Sequence, residues 1–137
     1  MLKKFNMEDC KSVSTPMMTS CKLSKDDDSP VVDHTMYRSM IGRLLYLTTS
    51  RPDIHQAVYM VATFQAGPKE THVAAVKRIL RYLKGSMDFG LWYPKKKGFE
   101  LTAYSNANWA RCVDDRKTTS GGAFYLGESL VTWHSKK

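Results

Sequence analysis

The apolar residues of this chain change their spacing once, and that change constrains the fold more than anything else in it. From Tyr37 to Leu83 they recur every three or four positions; from Phe89 they alternate. The first spacing gathers side chains on one face of a helix, and the second on one face of a strand. An α+β fold is therefore expected, with helices first and an antiparallel sheet after them. A chain of 137 residues suits one domain or two small ones, each of which would be marginal alone.

Three helical patterns precede the change. Tyr37, Met40, Ile41, Leu44, Leu45 and Leu47 predict a helix from about Thr35 to Thr48. Ser50-Arg51-Pro52-Asp53 opens the second. Ser50 can cap it, Pro52 suits the first turn, and Asp53 can reach back to the cap amide. Ile54, Ala57, Val58, Val61 and Phe64 form its apolar face, and Gly67-Pro68 ends it. The third pattern runs from about Lys69 to Lys84, with Val73, Val76, Ile79, Leu80 and Leu83 facing inward. Gly85 suits a left-handed C-terminal cap. Short connections between three amphipathic helices predict a small three-helix bundle over 35–86.

The third helix carries a second stripe. Lys77, Arg81 and Lys84 fall at i, i+4 and i+7, with Arg78 beside them. Four cations on one face repel each other unless something negative lies alongside. Contact with a phosphate backbone is the favoured reading, and a plain solvated face is the other. Charge distribution by itself fits both. Residues 1–34 hold five lysines and six acids, whereas residues 35–137 hold sixteen Lys or Arg and seven acids, a net +9. A polyanion is the natural partner of such a surface.

Over 87–137 the period-two pattern predicts an antiparallel sheet of three to four strands. The strands are expected at 89–93, 99–105, 122–126 and 129–134. Gly127-Glu128 fits a tight hairpin between the last two. Residues 111–120 read as a loop. Trp92, Trp109 and Trp133 are expected in the sheet core, with base stacking as the other possibility. A sheet with no helix after it leaves one face bare, which suggests a protein partner or self-association through that face or its edge.

Residues 1–34 hold few large apolar side chains and no period, so a flexible tail or linker, with at most one short docked piece, is expected there. Cys10, Cys21 and Cys112 have no metal-ligand spacing, which suits free thiols in a reducing compartment. No secretory signal or bilayer-spanning stretch is read, so an intracellular protein, cytoplasmic or nuclear, is expected. His34, His55, His72 and His134 are scattered, the middle two expected on helix surfaces or in the seam between helices. No metal site, cofactor, phosphate loop or Ser–His–Asp arrangement is expected.

Several runs together carry a resemblance. They include Tyr37-Arg38-Ser39-Met40-Ile41-Gly42, Ser50-Arg51-Pro52-Asp53, Pro68-Lys69-Glu70-Thr71-His72, and Ala75 through Gly85. Phe89-Gly90-Leu91-Trp92-Tyr93, Tyr104 to Ala110, Asp114-Asp115-Arg116-Lys117 and Val131-Thr132-Trp133 continue the series. Even Ser14-Thr15-Pro16-Met17 fits. In this order and spacing the chain resembles the polyprotein of copia-type plant retrotransposons, at the end of the reverse transcriptase and the start of its ribonuclease H.

The resemblance implies that the helices are a thumb-like unit that grips a template–primer duplex. It implies that the strands open a ribonuclease H-like sheet, whose enzyme class holds two magnesium ions with clustered carboxylates. The family's first carboxylate would stand at Asn106 and its next acid at Asn108. An asparagine is neutral and a weak ligand for a hard dication, and Arg111 would add a nearby cation. Asp114 and Asp115 are expected in a turn rather than on a metal. The family's other carboxylates would follow the third strand, and its polymerase palm would precede the helices. The expectation is a non-catalytic remnant that uses Lys77, Arg78, Arg81 and Lys84 on nucleic-acid phosphates.

Overall fold

The computed structural model describes residues 2–18, 23–26, 28–95, 100–108 and 119–136. After a short 3-10 turn at Leu2–Phe5 come α1 (His34–Leu47), α2 (Pro52–Ala62) and α3 (Glu70–Gly85). The strands β1 (Leu101–Asn108), β2 (Thr119–Leu126) and β3 (Ser129–Lys136) follow. They form an antiparallel sheet in the order β1-β2-β3. The protein is α+β, with three helices and three strands among the described residues.

The helices meet on the faces their spacing predicts. Tyr37, Met40, Ile41 and Leu44 of α1 are buried against Ile54, Ala57, Val58 and Val61 of α2 and Val73, Val76, Ile79 and Leu80 of α3. Burying an aliphatic side chain of this kind contributes roughly 1.5–3 kcal/mol, so this cluster is the main store of stability. The Tyr37 hydroxyl donates to the Val61 carbonyl at 2.7 Å, which ties α1 to α2 inside the apolar cluster. Burial pushes that phenol well above its ordinary range.

The helix ends differ from expectation in two places. Asp33 caps α1, accepting from the Thr35 amide at 2.8 Å. At α2 the cap position is Arg51, not Ser50, and no side chain caps it. The Ser50 hydroxyl turns back to the Leu47 carbonyl instead, at 3.3 Å. Pro52 does occupy the first turn. Asp53 is drawn away from the cap amide by Arg51, whose Nε and Nη2 donate to its two oxygens at 2.9 and 2.7 Å. Gly85 is not a left-handed cap either. It closes α3, and Gly127 is the only glycine with positive φ among the described residues.

The flexible tail or linker expected over 1–34 is, where described, packed on the helices. Met7 is buried in the helical core, and Leu2, Phe5, Cys10, Val13, Met17, Leu23 and Val32 pack against it. Each is an isolated apolar residue with no period, yet all of them pack on the one cluster. Farther along, the Val32 amide donates to the Pro68 carbonyl and the Glu70 amide to the Pro30 carbonyl, both at 3.1 Å. His72 fastens this stretch from beneath α3. Its Nδ1 accepts from the Lys69 amide at 3.0 Å, so Nε2 carries the proton and donates to the Ser24 carbonyl at 3.0 Å. The ring is fully buried in the seam and stacks on Phe64 at 4.0 Å.

The expected strand at 89–93 does not form. Phe89, Trp92 and Tyr93 are exposed, with Trp92 78% accessible, so Trp92 is not a sheet-core residue. Alternating apolar residues there find other partners. Arg51 lies 5.9 Å over the Phe89 ring, and the Tyr93 hydroxyl donates to the Leu130 carbonyl at 2.9 Å. Without a neighbouring strand to pair with, alternation alone does not make a ladder. The hairpin at Gly127-Glu128 forms as expected, Leu126 opposite Ser129 and Gly127 at φ 61°. Trp109, Asp114, Asp115, Arg111, Cys21 and Cys112 lie outside the described residues.

Candidate nucleic-acid interface

Lys77, Arg78, Arg81 and Lys84 all lie on α3, whose opposite face is locked into the core by Val76, Ile79 and Leu80. Their stripe is therefore held at fixed spacing rather than on a mobile loop. The structure brings the four together, but it also gives three of them a partner from the N-terminal segment. Lys84 Nζ donates to the carbonyls of Glu8 and Cys10, the latter at 2.9 Å. Arg81 Nε donates to the Lys11 carbonyl at 3.0 Å. Arg78 Nη2 donates to the Thr15 hydroxyl at 2.9 Å. Residues 8–15 thus form a strap along the ridge, and Lys77 remains exposed at its end.

The strap answers the repulsion argument with neutral acceptors, three carbonyls and a hydroxyl, while its own residues Glu8, Asp9 and Lys11 sum to only −1. Carbonyl oxygens are strong acceptors, and a backbone running along a row of cations supplies one dipole after another. A phosphate backbone would offer the same cations oxygen acceptors plus full charge. The strap packs so closely that Gly85 is required beneath it: a Cβ there would lie 2.8 Å from the Ser12 Cβ. Sequence reasoning missed the strap. Its signal was present in Gly85, but that residue read as a cap.

Beside the ridge, Arg51 fixes the end of α3. Its Nη1 and Nη2 reach the Ser86 carbonyl at 3.0 Å and hydroxyl at 2.7 Å, while its fork holds Asp53. The Tyr82 hydroxyl donates to Asp53 at 2.8 Å. Burial works to raise the Asp53 carboxyl, but the Arg51 fork and the Tyr82 hydroxyl outweigh it and hold it below its usual range. The Asp53 contact in turn pushes the Arg51 guanidinium up. This network ties the start of α2 to the end of α3, the element that carries the ridge.

The second candidate place is on the sheet. Asn106 stands on β1 opposite Gly121 of β2 and is exposed. It lines an open cavity of about 400 Å³ with His55 of α2 and Gly122, Trp133 and His134 of the sheet. Trp133 Nε1 donates to the Thr48 carbonyl at 3.2 Å, which pins β3 to the end of α1. Burial, and then the charge of His134, lowers the His55 imidazole. A Cβ at Gly122 would collide with the His134 ring, so Gly122 lets that ring lie flat across the strand.

The cavity offers amide, hydroxyl and imidazole groups. Among the described residues its lining includes no carboxylate, and no cluster of three or more His, Cys, Asp or Glu lies anywhere. A pair of magnesium ions needs several anionic oxygens, so this donor set does not fit them. The backbone of Asn108 continues β1 beside this place. Among the described residues, no helix is long and apolar enough to cross a membrane.

No protein-family model and no solved structure matches the chain. Curated relatives do. The chain is 43% identical over its whole length to the retrovirus-related Pol polyprotein from transposon RE1 of Arabidopsis thaliana. It is 41% identical, again over its whole length, to that from transposon RE2 of the same plant. It spans only 9% of the length of each. It is also 40% identical over 102 residues to the secreted RxLR effector protein 161 of Plasmopara viticola, covering 74% of this chain and 72% of that protein.

Proposed function

The chain belongs to the retrovirus-related Pol polyproteins of copia-type plant retrotransposons, and we propose that it is a non-catalytic remnant that binds nucleic-acid backbones. In this reading the helices are thumb-like, and the sheet is ribonuclease H-like. The observation that carries it is the fixed row of Lys77, Arg78, Arg81 and Lys84 on the outer face of α3. Cations at helical spacing meet phosphates along a groove and read no base, so duplex and RNA–DNA hybrid are both ligands. Lys77 makes first contact, and the strap is the competitor for the other three.

The non-catalytic part rests on Asn106 and on the neutral lining of the cavity beside it. Restoring a single aspartate at Asn106 adds one anionic ligand where a two-metal site needs several. Asn106→Asp is therefore expected to leave a magnesium-dependent hybrid-cleavage assay at background. Cleavage by either chain would overturn this part alone.

Titration against RNA–DNA hybrid, duplex DNA and single strands at two salt concentrations tests the binding part. Affinity is expected to fall steeply with salt, in proportion to the phosphates contacted. Lys77→Glu is the clean variant, because Lys77 is exposed and the strap is fastened by the other three. It is expected to weaken duplex binding severalfold without changing the fold. Duplex or hybrid binding left intact both in this variant and in Lys77→Glu/Arg81→Glu/Lys84→Glu would sink the reading.

A second reading is favoured by the sheet. Leu101 and Tyr104 of β1 are 71% and 65% accessible, and β1 pairs only with β2 among the described residues. An open edge with exposed apolar side chains is a template for a protein partner or a second copy. Strict monomer behaviour across concentration in sedimentation, with no partner recovered, removes it.

A further inference from the structure

The fastening of the strap is uneven, and the uneven point is chemically specific. Lys84 and Arg81 hold backbone carbonyls, whereas Arg78 meets a side-chain hydroxyl, that of Thr15. Arg78 Nη2 takes that hydroxyl at 2.9 Å. Its Nε, on the same edge of the guanidinium, is buried and has no hydrogen-bond partner among the described residues. An edge of this kind presents two parallel N–H groups and matches two oxygens of one carboxylate or phosphate. Arg51 shows the filled form in this same protein, with Nε and Nη2 both on Asp53. At Arg78 one hydroxyl oxygen faces a fork built for two.

Thr15 is exposed, and Pro16 follows it directly. Ser14, the neighbouring hydroxyl, is not followed by proline. We propose that Thr15 is a phosphorylation site for a proline-directed protein kinase, and that its phosphate is held by the Arg78 fork. In the step, Thr15 Oγ1 attacks the γ-phosphorus of a nucleoside triphosphate. The bond from that phosphorus to the bridging oxygen breaks, the nucleoside diphosphate leaves, and the hydroxyl proton passes to the kinase's base. The product brings roughly −1.5 to −2 charges to the strap at pH 7, with oxygens enough for both Nε and Nη2. The strap is then tied to α3 by a charge-assisted pair, where before it had a neutral hydroxyl. The consequence for nucleic acid rests on the binding function proposed above: a fastened, negatively charged strap keeps polyphosphates off the ridge. The fastening itself does not depend on that reading.

The experiment treats the full chain with a proline-directed kinase and ATP and maps the product by mass spectrometry. A phosphate is expected at Thr15, absent from Thr15→Ala and from Pro16→Ala, and is mapped separately from Ser29, which proline also follows. In the phosphorylated chain, the Arg78 Nε–H is expected to exchange with water about tenfold more slowly. Tryptic cleavage after Lys11 slows with it. In phosphorylated Arg78→Lys, which keeps the charge but not the fork, cleavage after Lys11 stays fast. No phosphate at Thr15, or an Arg78 Nε–H and a Lys11 cleavage rate that ignore it, overturns the proposal. Hybrid binding by the unmodified chain is read in parallel and judges the nucleic-acid reading on its own. Where that binding is present, phosphorylation is expected to weaken it about tenfold or more, and equal binding by both forms overturns the regulatory half.

Discussion

The helical unit and the sheet were built from residues of similar apolarity, yet they are held in different ways. In the helices nearly every inward position is fully buried, from Tyr37 to Leu80. In the sheet only Ser129 falls in the buried class among the described residues, and Leu101, Tyr104 and Val131 face solvent. An amphipathic helix has one apolar stripe, and two other helices suffice to cover it. A sheet has two faces, and this one touches the helices mainly through β3 against α2 and through the Trp133 bond to Thr48. Apolar content by itself therefore says little about stability. What counts is whether a second surface arrives to cover it.

The comparison predicts a large asymmetry. Leu80→Ala, at the centre of the helical cluster, is expected to cost about 2–5 kcal/mol in urea unfolding followed by far-ultraviolet circular dichroism. Phe124→Ala, on the central strand, is expected to cost under about 1 kcal/mol in the same transition. Equal losses would mean that the two regions unfold as one cooperative unit, and the contrast would be broken.

A smaller effect sharpens the account of the helical unit. Asp53→Asn leaves Arg51 without its anion and is expected to cost about 1–3 kcal/mol, because the guanidinium is mostly buried. The pH dependence has a definite sign. The Asp53 carboxyl is held below its ordinary value in the folded state, so its contribution is fully present above about pH 4. It is lost as pH falls through the lower folded value. Stability of the parent chain should thus fall faster with acid than that of Asp53→Asn. Parallel curves between pH 5 and pH 2 would remove Asp53 from the account.

The smallest effect concerns the strap. Gly85→Ala should help α3 intrinsically by about 0.5–1 kcal/mol, since glycine is a poor helix former. The added Cβ meets Ser12, so the strap must shift. Faster tryptic cleavage after Lys11 with nearly unchanged global stability is the expected result. Slower cleavage would show that the strap is held elsewhere.

The helices were legible because their signal is local. Spacing named the inner faces of α1, α2 and α3 except at Leu45, which was expected on the face of α1 and is exposed, and Pro52 and the Gly127-Glu128 turn acted where they were expected. The false strand at 89–93 and the exposed Trp92 show the limit of the same reasoning. Alternation states which side chains would share a face, but a ladder needs a neighbour's amides and carbonyls. The capping assignments at Ser50 and Gly85 also failed: the Ser50 hydroxyl turns back to the Leu47 carbonyl, and Gly85 ends α3 beneath Ser12, a partner that no local pattern names.

For the candidate site the division is sharper. The sequence by itself determined that four cations share one face of α3 and that asparagine stands at position 106, for both follow from residue type and helical or strand period. Only the tertiary structure decided what the cations do at rest. Arg78 meets Thr15 across 63 positions and Arg81 meets Lys11 across 70. No periodicity encodes such a meeting. It arises because Met7 and its apolar neighbours bury themselves in the helical core, and the carbonyls of the chain between them come to lie along the ridge.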